Sequence, residues 1–130
     1  MRWLCGSASL ALAGTCLVAF GSAQAADISA HLSASPTAFS GKCPAVITFS
    51  GRITSRKRAE VRYKFLRSDG ALAPEQTLVF TGPGTKTVST TWTLGDVKLL
   101  PSYAGWEAIE ILSPAPVVKS NQAHFKIQCK

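Results

Sequence analysis

The sequence predicts an all-β fold, a seven-stranded antiparallel sandwich held by one disulfide. Apolar residues recur at every second position in seven segments, and turn-forming residues separate these segments at spacings of roughly a dozen residues. No segment shows helical periodicity. Alternation of this kind is typical of strands with one face on a core and the other in solvent. Seven such strands in one short chain favour two packed sheets.

Five of the seven predicted strands place their apolar residues mainly on one face. The ranges are 27–33, 46–54, 59–67, 76–81, 86–94, 105–112 and 122–129. In the second strand, Ile47, Phe49 and Ile53 share a face. The fourth strand is short, and its alternation does not clearly separate an inner face from an outer face. The sixth is apolar on both faces apart from Glu107 and Glu110, which lie three residues apart and therefore on opposite faces.

The first 25 residues are predicted to be an export signal. Arg2 is their one charge, an apolar run follows, and Ala23 and Ala25 supply the small side chains of a cleavage site. We expect cleavage after Ala25, which leaves residues 26–130 as one secreted or periplasmic domain with no transmembrane segment. Lipid attachment at Cys16 is disfavoured, because the residue before it is Thr where the lipoprotein signal has Gly or Ala.

Two of the four cysteines remain after the predicted cleavage, Cys43 and Cys129. An even pair in an oxidising compartment favours a disulfide. If consecutive strands alternate in direction, the second strand begins at the end of the sandwich where the seventh stops, so the two cysteines lie close together. The chain-entropy treatment gives such a bridge about 4.5 kcal/mol of stability.

The strongest chemical feature is positive charge. The chain has 14 Lys and Arg against 7 Asp and Glu, and removing Arg2 leaves a net charge of +6 with neutral histidines. The strand pattern places Arg52, Arg62 and Lys64 on the solvent face of one hairpin. The remaining candidate cations are expected at the tip of that hairpin and in two loops at the same end of the sandwich. They are Arg56, Lys57, Arg58, Lys86 and Lys119.

These eight cations suggest a surface that binds an anionic envelope polymer or an acidic protein. A solubilising face that blocks edge-to-edge strand pairing would explain the same charges. We therefore expect a monomeric, non-enzymatic binding or interaction module. Nucleic acid is a less suitable partner, because the cationic hairpin carries no exposed aromatic residue on which a base could stack.

Two other functions stay open. A structural or inhibitory protein could pair with its partner through an exposed edge strand. His31 and His124 lie on the outward faces of the first and seventh strands, which would suit a weak periplasmic metal carrier. No third ligand is visible, so we assign no metal site. Trp92 alternates in step with the apolar residues of its strand, so we expect it in the core. Trp106 could stack on a sugar ring, but the alternation does not show which face of its strand it occupies.

Catalysis is disfavoured because the sequence has no nucleophile elbow, no H-E-x-x-H zinc motif and no glycine-rich phosphate loop. The predicted disulfide leaves no free thiol in residues 26–130, and no acid/base carboxylate pair is apparent. We therefore predict that the protein is not an enzyme and assign neither a catalytic residue nor a cofactor.

A longer pattern spans about residues 39–129, "SGKCP…FSGRI…V.Y.F.RSDG…W.L…GW…P…S.QAHFKIQC". It resembles small secreted bacterial immunoglobulin-like, or fibronectin type III-like, sandwich proteins of unassigned activity. The matching positions are turn, core and cysteine residues, so the resemblance implies a fold and no particular chemistry. Immunoglobulin domains usually join their second and sixth strands, whereas this cysteine pair would join the start of the second to the end of the seventh.

Overall fold

A computed structural model describes residues 27–130, and their regular secondary structure is entirely β-strand. The predicted signal segment, residues 1–25, lies outside the described residues. The nine strands are β1 (Ile28–Ser35), β2 (Ala38–Gly41), β3 (Ala45–Ser55), β4 (Ala59–Arg67), β5 (Gln76–Phe80), β6 (Gly84–Leu94), β7 (Ser102–Ser113), β8 (Val118–Lys119) and β9 (Ala123–Cys129). Residues 27–130 contain no helix that is long and apolar enough to span a bilayer.

The strands form two sheets, neither of which closes into a barrel. The larger sheet has the order β2-β9-β7-β4-β5. The two-residue strand β8 also pairs with β7, further along that strand than β9 does. The smaller sheet has the order β1-β3-β6. All pairs are antiparallel except β9 with β2, which is parallel. The fold is therefore all-β, as predicted, but the larger sheet is mixed.

Alternate residues of each long strand meet in one apolar core between the sheets. Phe49 of the smaller sheet and Phe125 of the larger sheet pack edge to face, with ring centroids 5.7 Å apart. Trp92 adds a second edge-to-face contact on Phe125 at 5.2 Å. Such aromatic pairs add about 0.5–1.5 kcal/mol beyond the burial of their area. The predicted inward residues of β3, including Ile47 and Ile53, are fully buried, as the alternation required.

All seven predicted strands are present, and the structure adds β2 and β8 in segments that we predicted as turns. These two strands have four and two residues, too few for period-2 alternation to show in a sequence. Each is a strand because it borders a longer one, β2 along β9 and β8 along β7. The prediction of exactly seven strands, all antiparallel, was wrong in these two respects.

The segment that joins β3 to β4 crosses from one sheet to the other instead of forming a hairpin. Ser55, the last residue of β3, is 1% exposed, and its hydroxyl bonds to the backbone of Lys57. The Arg56 N–H donates to the carbonyl of Asp27 at 2.9 Å. These bonds hold the crossing segment against the start of β1. The predicted β3–β4 hairpin was therefore wrong, with consequences for the basic residues.

The disulfide prediction is confirmed: Cys43 is bonded to Cys129, with Cα atoms 5.4 Å apart. Cys43 lies just before β3 and Cys129 ends β9, so the bridge joins the two sheets at one end of the sandwich. Gly95, with a positive φ of 103°, lets the chain pass directly beside both sulfur atoms.

Candidate functional site

Four cations lie at the end of the sandwich opposite the disulfide. Ser55 at the end of β3 pairs with Gly84 at the start of β6, and Ala59 at the start of β4 pairs with Phe80 at the end of β5. The connections 56–58 and 81–83 therefore share this end. The surface formed by Arg56, Lys57, Arg58 and Lys86 is hereafter called the basic end.

The members of the basic end have different neighbours. Lys57 Nζ lies 2.9 Å from Asp27 Oδ2, and this hydrogen-bonded ammonium holds the pKa of Asp27 below its usual value. Lys86 Nζ lies 5.7 Å from the centroid of the Phe80 ring. Among residues 27–130, no carboxylate forms a salt bridge with Arg56 or Arg58, and both side chains are exposed.

A depression of about 300 Å³ lies beside Lys86, lined by residues 80–86. Gly82, Pro83 and Gly84 lie together in this turn, and most residues of the segment are exposed. Accessible backbone N–H groups beside an ammonium group form a suitable environment for an anion.

Arg62 and Lys64 lie on the outer face of the larger sheet, and each has an acidic neighbour. Arg62 makes a salt bridge with Glu75. Lys64 Nζ lies 3.9 Å from Glu110 Oε1, and Lys119 is opposite Glu110 on the far side of β7. Lys119 is therefore a residue of strand β8, and Lys86 is likewise a residue of β6 (Gly84–Leu94), so our prediction that both extend from loops was wrong.

Arg52 lies on the opposite side of the molecule from Arg62 and Lys64. It is on the outer face of the smaller sheet, in a row with His31 and Thr87. Packed sheets lie about 10 Å apart, and these side chains extend outward from different sheets. The prediction that the three cations share one face was wrong because β3 and β4 do not form a hairpin.

Arg52 and His31 border a shallow groove of about 490 Å³ on that face. Its other lining side chains are mainly hydroxyl-bearing: Ser33, Ser50, Thr87 and Ser89. Arg52 therefore belongs to a separate surface and is not part of the basic end.

Arg67, the last residue of β4, covers the edge of the core. Its guanidinium lies 3.9 Å from the centroid of the Trp92 ring. It also donates to both carboxylate oxygens of Asp69, at 3.1 and 2.6 Å, and thereby holds the pKa of Asp69 below its usual value. Trp92 is a core residue, as its position in the alternation of its strand predicted.

The two histidines are not brought together. His31 pairs across strands with Arg52 on the smaller sheet, whereas His124 pairs with Trp106 on the larger sheet. Both extend from outer faces, and these faces point away from each other. Within the part of the chain that the structure describes, no group of three or more His, Cys, Asp or Glu is placed to hold a metal ion.

Glu107 and Glu110 lie on opposite faces of β7, as predicted. Glu110 is on the outer face, whereas Glu107 points into the core and is 2% exposed. Burial raises the pKa of Glu107 to about 7, although the nearby Arg67 lowers it in part. Glu107 Oε1 has no hydrogen-bond partner among the described residues. The sequence showed that Glu107 and Glu110 lie on opposite faces of the strand, but it gave no sign that the Glu107 side chain is buried.

No protein-family model matches the chain, and no curated protein matches it in sequence. Among solved structures, it is similar to the alkylpurine DNA glycosylase AlkC of Pseudomonas fluorescens bound to DNA containing an abasic site analog, with a TM-score of 0.53 and 14% identity. The similarity covers 80% of this chain and 31% of that one, so this chain spans about a third of its neighbour's length. At this identity, the similarity shows a shared fold alone.

Proposed function

We propose that this protein is an exported, non-enzymatic binding module with an immunoglobulin-like sandwich, and that it captures an anionic partner through the basic end. One observation carries the proposal: Arg56, Arg58 and Lys86 surround one end of the fold where Asp27, an acid at that end, is already paired with Lys57. Export is supported by the disulfide, because such bonds persist in oxidising compartments.

The partner would be an acidic protein or an envelope polymer that carries carboxylate or phosphate groups. Guanidinium groups bind such groups through two parallel hydrogen bonds, which gives geometric selectivity as well as attraction. The backbone between β3 and β4 is already fixed by its bonds to Asp27 and Ser55. Binding would therefore require ordering of the arginine side chains and little rearrangement of the loop.

The other predicted cations would contribute less to this contact. Arg62 is committed to Glu75, while Lys64 and Lys119 lie on either side of Glu110. Their charges would guide an anionic partner towards the molecule more than they would bind it directly.

The test is calorimetric titration of the secreted chain with poly-L-glutamate and with inorganic polyphosphate. In the variant Arg56→Gln/Lys57→Gln/Arg58→Gln, we expect binding to weaken by about tenfold or more, equivalent to about 1.4 kcal/mol. The control variant Lys42→Gln/Lys98→Gln/Lys130→Gln removes the same charge elsewhere. An equal loss in both variants, or no loss in the first, would reject the basic end as the contact surface.

A second candidate function, pairing with a partner through an edge strand, is favoured by β6. This strand has 11 residues and, among the described strands, pairs with β3 alone. Its free edge is long enough to hydrogen-bond an added strand. Salt separates the two functions, because strand addition should persist at about 0.5 M NaCl, where exposed charge contacts are screened within about 4 Å.

A further inference from the structure

A third concave surface lies on the outer face of the larger sheet, near the disulfide end. It has a volume of about 500 Å³, within the roughly 300–1,000 Å³ typical of small-molecule sites. Its lining residues come from β7, β9 and two connections: Thr37, Ser68, Ala104, Gly105, Trp106, His124, Phe125 and Lys126. Seven residues of β7 separate Trp106 from Ser113, roughly 23 Å, so the groove is distinct from the basic end.

The pairing of β7 with β9 determines which groups meet in this groove. Trp106 is directly opposite His124, and Ala104 is directly opposite Lys126. The small side chain of Ala104 leaves a depression between the indole ring and the lysine. Trp106, half-buried and on the outer face, borders this depression.

The position of Trp106 is fixed by backbone contacts with the residue that follows β4. The Ser68 N–H donates to the Trp106 carbonyl at 2.9 Å, and the Trp106 N–H donates to Ser68 Oγ at 3.1 Å. The hydroxyl hydrogen of Ser68 is not used by the second bond and can be donated to a ligand. These bonds fix the backbone of Trp106, and a tryptophan side chain with two rotatable angles loses little conformational entropy when a ligand binds.

The charge of the groove has one sign. Lys126 contributes an ammonium group and His124 an imidazole, whereas the residues that line the groove include no carboxylate. Thr37 and Ser68 add hydroxyl groups at the rim. The site therefore combines an apolar plane, hydrogen-bonding groups around it and a cation on one side.

We propose that this groove binds an acidic saccharide. One face of a pyranose ring carries mainly C–H groups and would stack on the Trp106 indole, while the hydroxyl groups at its edge would bond to Ser68, Thr37 and His124. The carboxylate or sulfate of the sugar would pair with Lys126. A single-stranded nucleic acid fits less well, because such ligands follow several aromatic groups and cations in series.

The test uses four tetrasaccharides with the secreted chain: tetragalacturonate and a heparin tetrasaccharide as acidic ligands, and maltotetraose and cellotetraose as neutral ones. Chemical shifts of backbone amides report where each ligand binds. We expect an acidic tetrasaccharide to shift the amides of residues 104–106 and 124–126 and to bind at least about tenfold more tightly than the neutral ones. Binding by neither acidic ligand, or equal binding by the neutral ones, would overturn the proposal.

Variants then identify the contacts. Trp106→Ala should weaken binding about tenfold and Trp106→Phe less, because a phenyl ring still provides a plane. Lys126→Ala should weaken binding of the acidic ligand and remove its preference over a neutral one. The control Lys86→Ala removes a charge from the basic end and should have no effect, which separates this site from the proposed function. Tighter binding of a short deoxythymidine oligonucleotide than of either acidic sugar would also overturn the assignment.

Discussion

The side chain of Asn121 pairs with both backbone groups of Leu32. Asn121 Nδ2 donates to the Leu32 carbonyl at 2.8 Å, and the Leu32 N–H donates to Asn121 Oδ1 at 2.9 Å. Leu32 belongs to β1 of the smaller sheet, whereas Asn121 lies between β8 and β9 of the larger sheet. One amide therefore occupies the place of a neighbouring strand and connects the two sheets.

We predict that Asn121→Ala lowers the free energy of unfolding by about 2 kcal/mol, because it leaves two backbone groups of a buried residue without partners. Urea denaturation monitored by tryptophan fluorescence measures the change. Ser33→Ala, which removes a bond from the exposed Ser33 hydroxyl to the Ser50 carbonyl, should change the free energy by less than about 0.5 kcal/mol. Similar values for the two variants would mean that the Asn121 contact is not needed.

Removal of the disulfide should have a larger effect. Cys43→Ala/Cys129→Ala should lower the free energy of unfolding by about 4.5 kcal/mol, because the bridge spans 86 residues of the chain. Guanidinium denaturation of the variant and the parent gives the difference. Alkylation of the unfolded, unreduced protein followed by intact-mass measurement should show no label on either cysteine, and two labels would contradict the bridge.

Gly95→Ala should be among the most destabilising single changes. A Cβ atom there would lie 2.8 Å from Cys43 Sγ and 2.9 Å from Cys129 Sγ, and φ is +103°. We expect a loss of about 3 kcal/mol from the combination of backbone strain and steric overlap. Gly70→Ala is the matched control, because its φ is +80° but no atom lies within 4 Å of the added Cβ, so we expect about 1 kcal/mol.

The two contributions at Gly95 can be separated. In the Cys43→Ala/Cys129→Ala background the sulfur atoms are absent, so the cost of Gly95→Ala should fall towards that of Gly70→Ala. An unchanged cost in that background would show that the sulfur atoms do not cause it, and would assign the effect to the backbone and to Ile127, whose Cδ1 lies 2.8 Å from the added Cβ.

Burial of Glu107 predicts that the protein loses stability as the pH rises through the weakly acidic range. Because its pKa is raised from 4.5 to about 7, the folded protein binds a proton that the unfolded chain has already released. This contribution is complete below about pH 4.5 and disappears as the pH approaches 7, with an upper limit of about 3 kcal/mol. The lowered pKa values of Asp27, Asp69 and Asp96 act oppositely, since their stabilisation is lost as the pH falls below about 3.8.

Glu107→Gln should therefore abolish most of the decrease in stability between pH 5 and pH 8 and should raise stability at pH 8. Urea denaturation at both pH values measures this difference. Glu110→Gln, on the exposed face of the same strand, should leave the trend in place. A trend that persists in Glu107→Gln would show that another group causes it.

The individual strands were predictable from the sequence, whereas the arrangement of those strands was not. Alternation depends on each strand's own residues, and it correctly identified Phe49, Ile53 and Trp92 as core residues. The cysteine pair was predictable because the six long strands from Cys43 to Cys129 alternate in direction, which places both cysteines at one end; the short β8 runs in the same direction as β9 and does not change this. Neither observation shows which sheet a strand joins.

The candidate site was predicted in part for the same reason. Residues 56–58 could be placed at one end with Lys86, because they follow directly from strand order. The separation of Arg52 from Arg62 depends on the crossing between sheets, which hydrogen bonds from Ser55 and Arg56 maintain. The groove beside Trp106 depends on the register of β7 against β9, which sequence alternation leaves undetermined.

The position of β9 in the larger sheet implies how the molecule would respond to a proteolytic nick in the segment 68–75. The amino-terminal piece would retain β2 and the carboxyl-terminal piece β9, and these neighbours are hydrogen-bonded to each other. Cys43 and Cys129 would lie in different pieces. In denaturing electrophoresis the nicked molecule would therefore migrate as one species. A reducing agent would release two fragments, and each would lack strands that its sheets require.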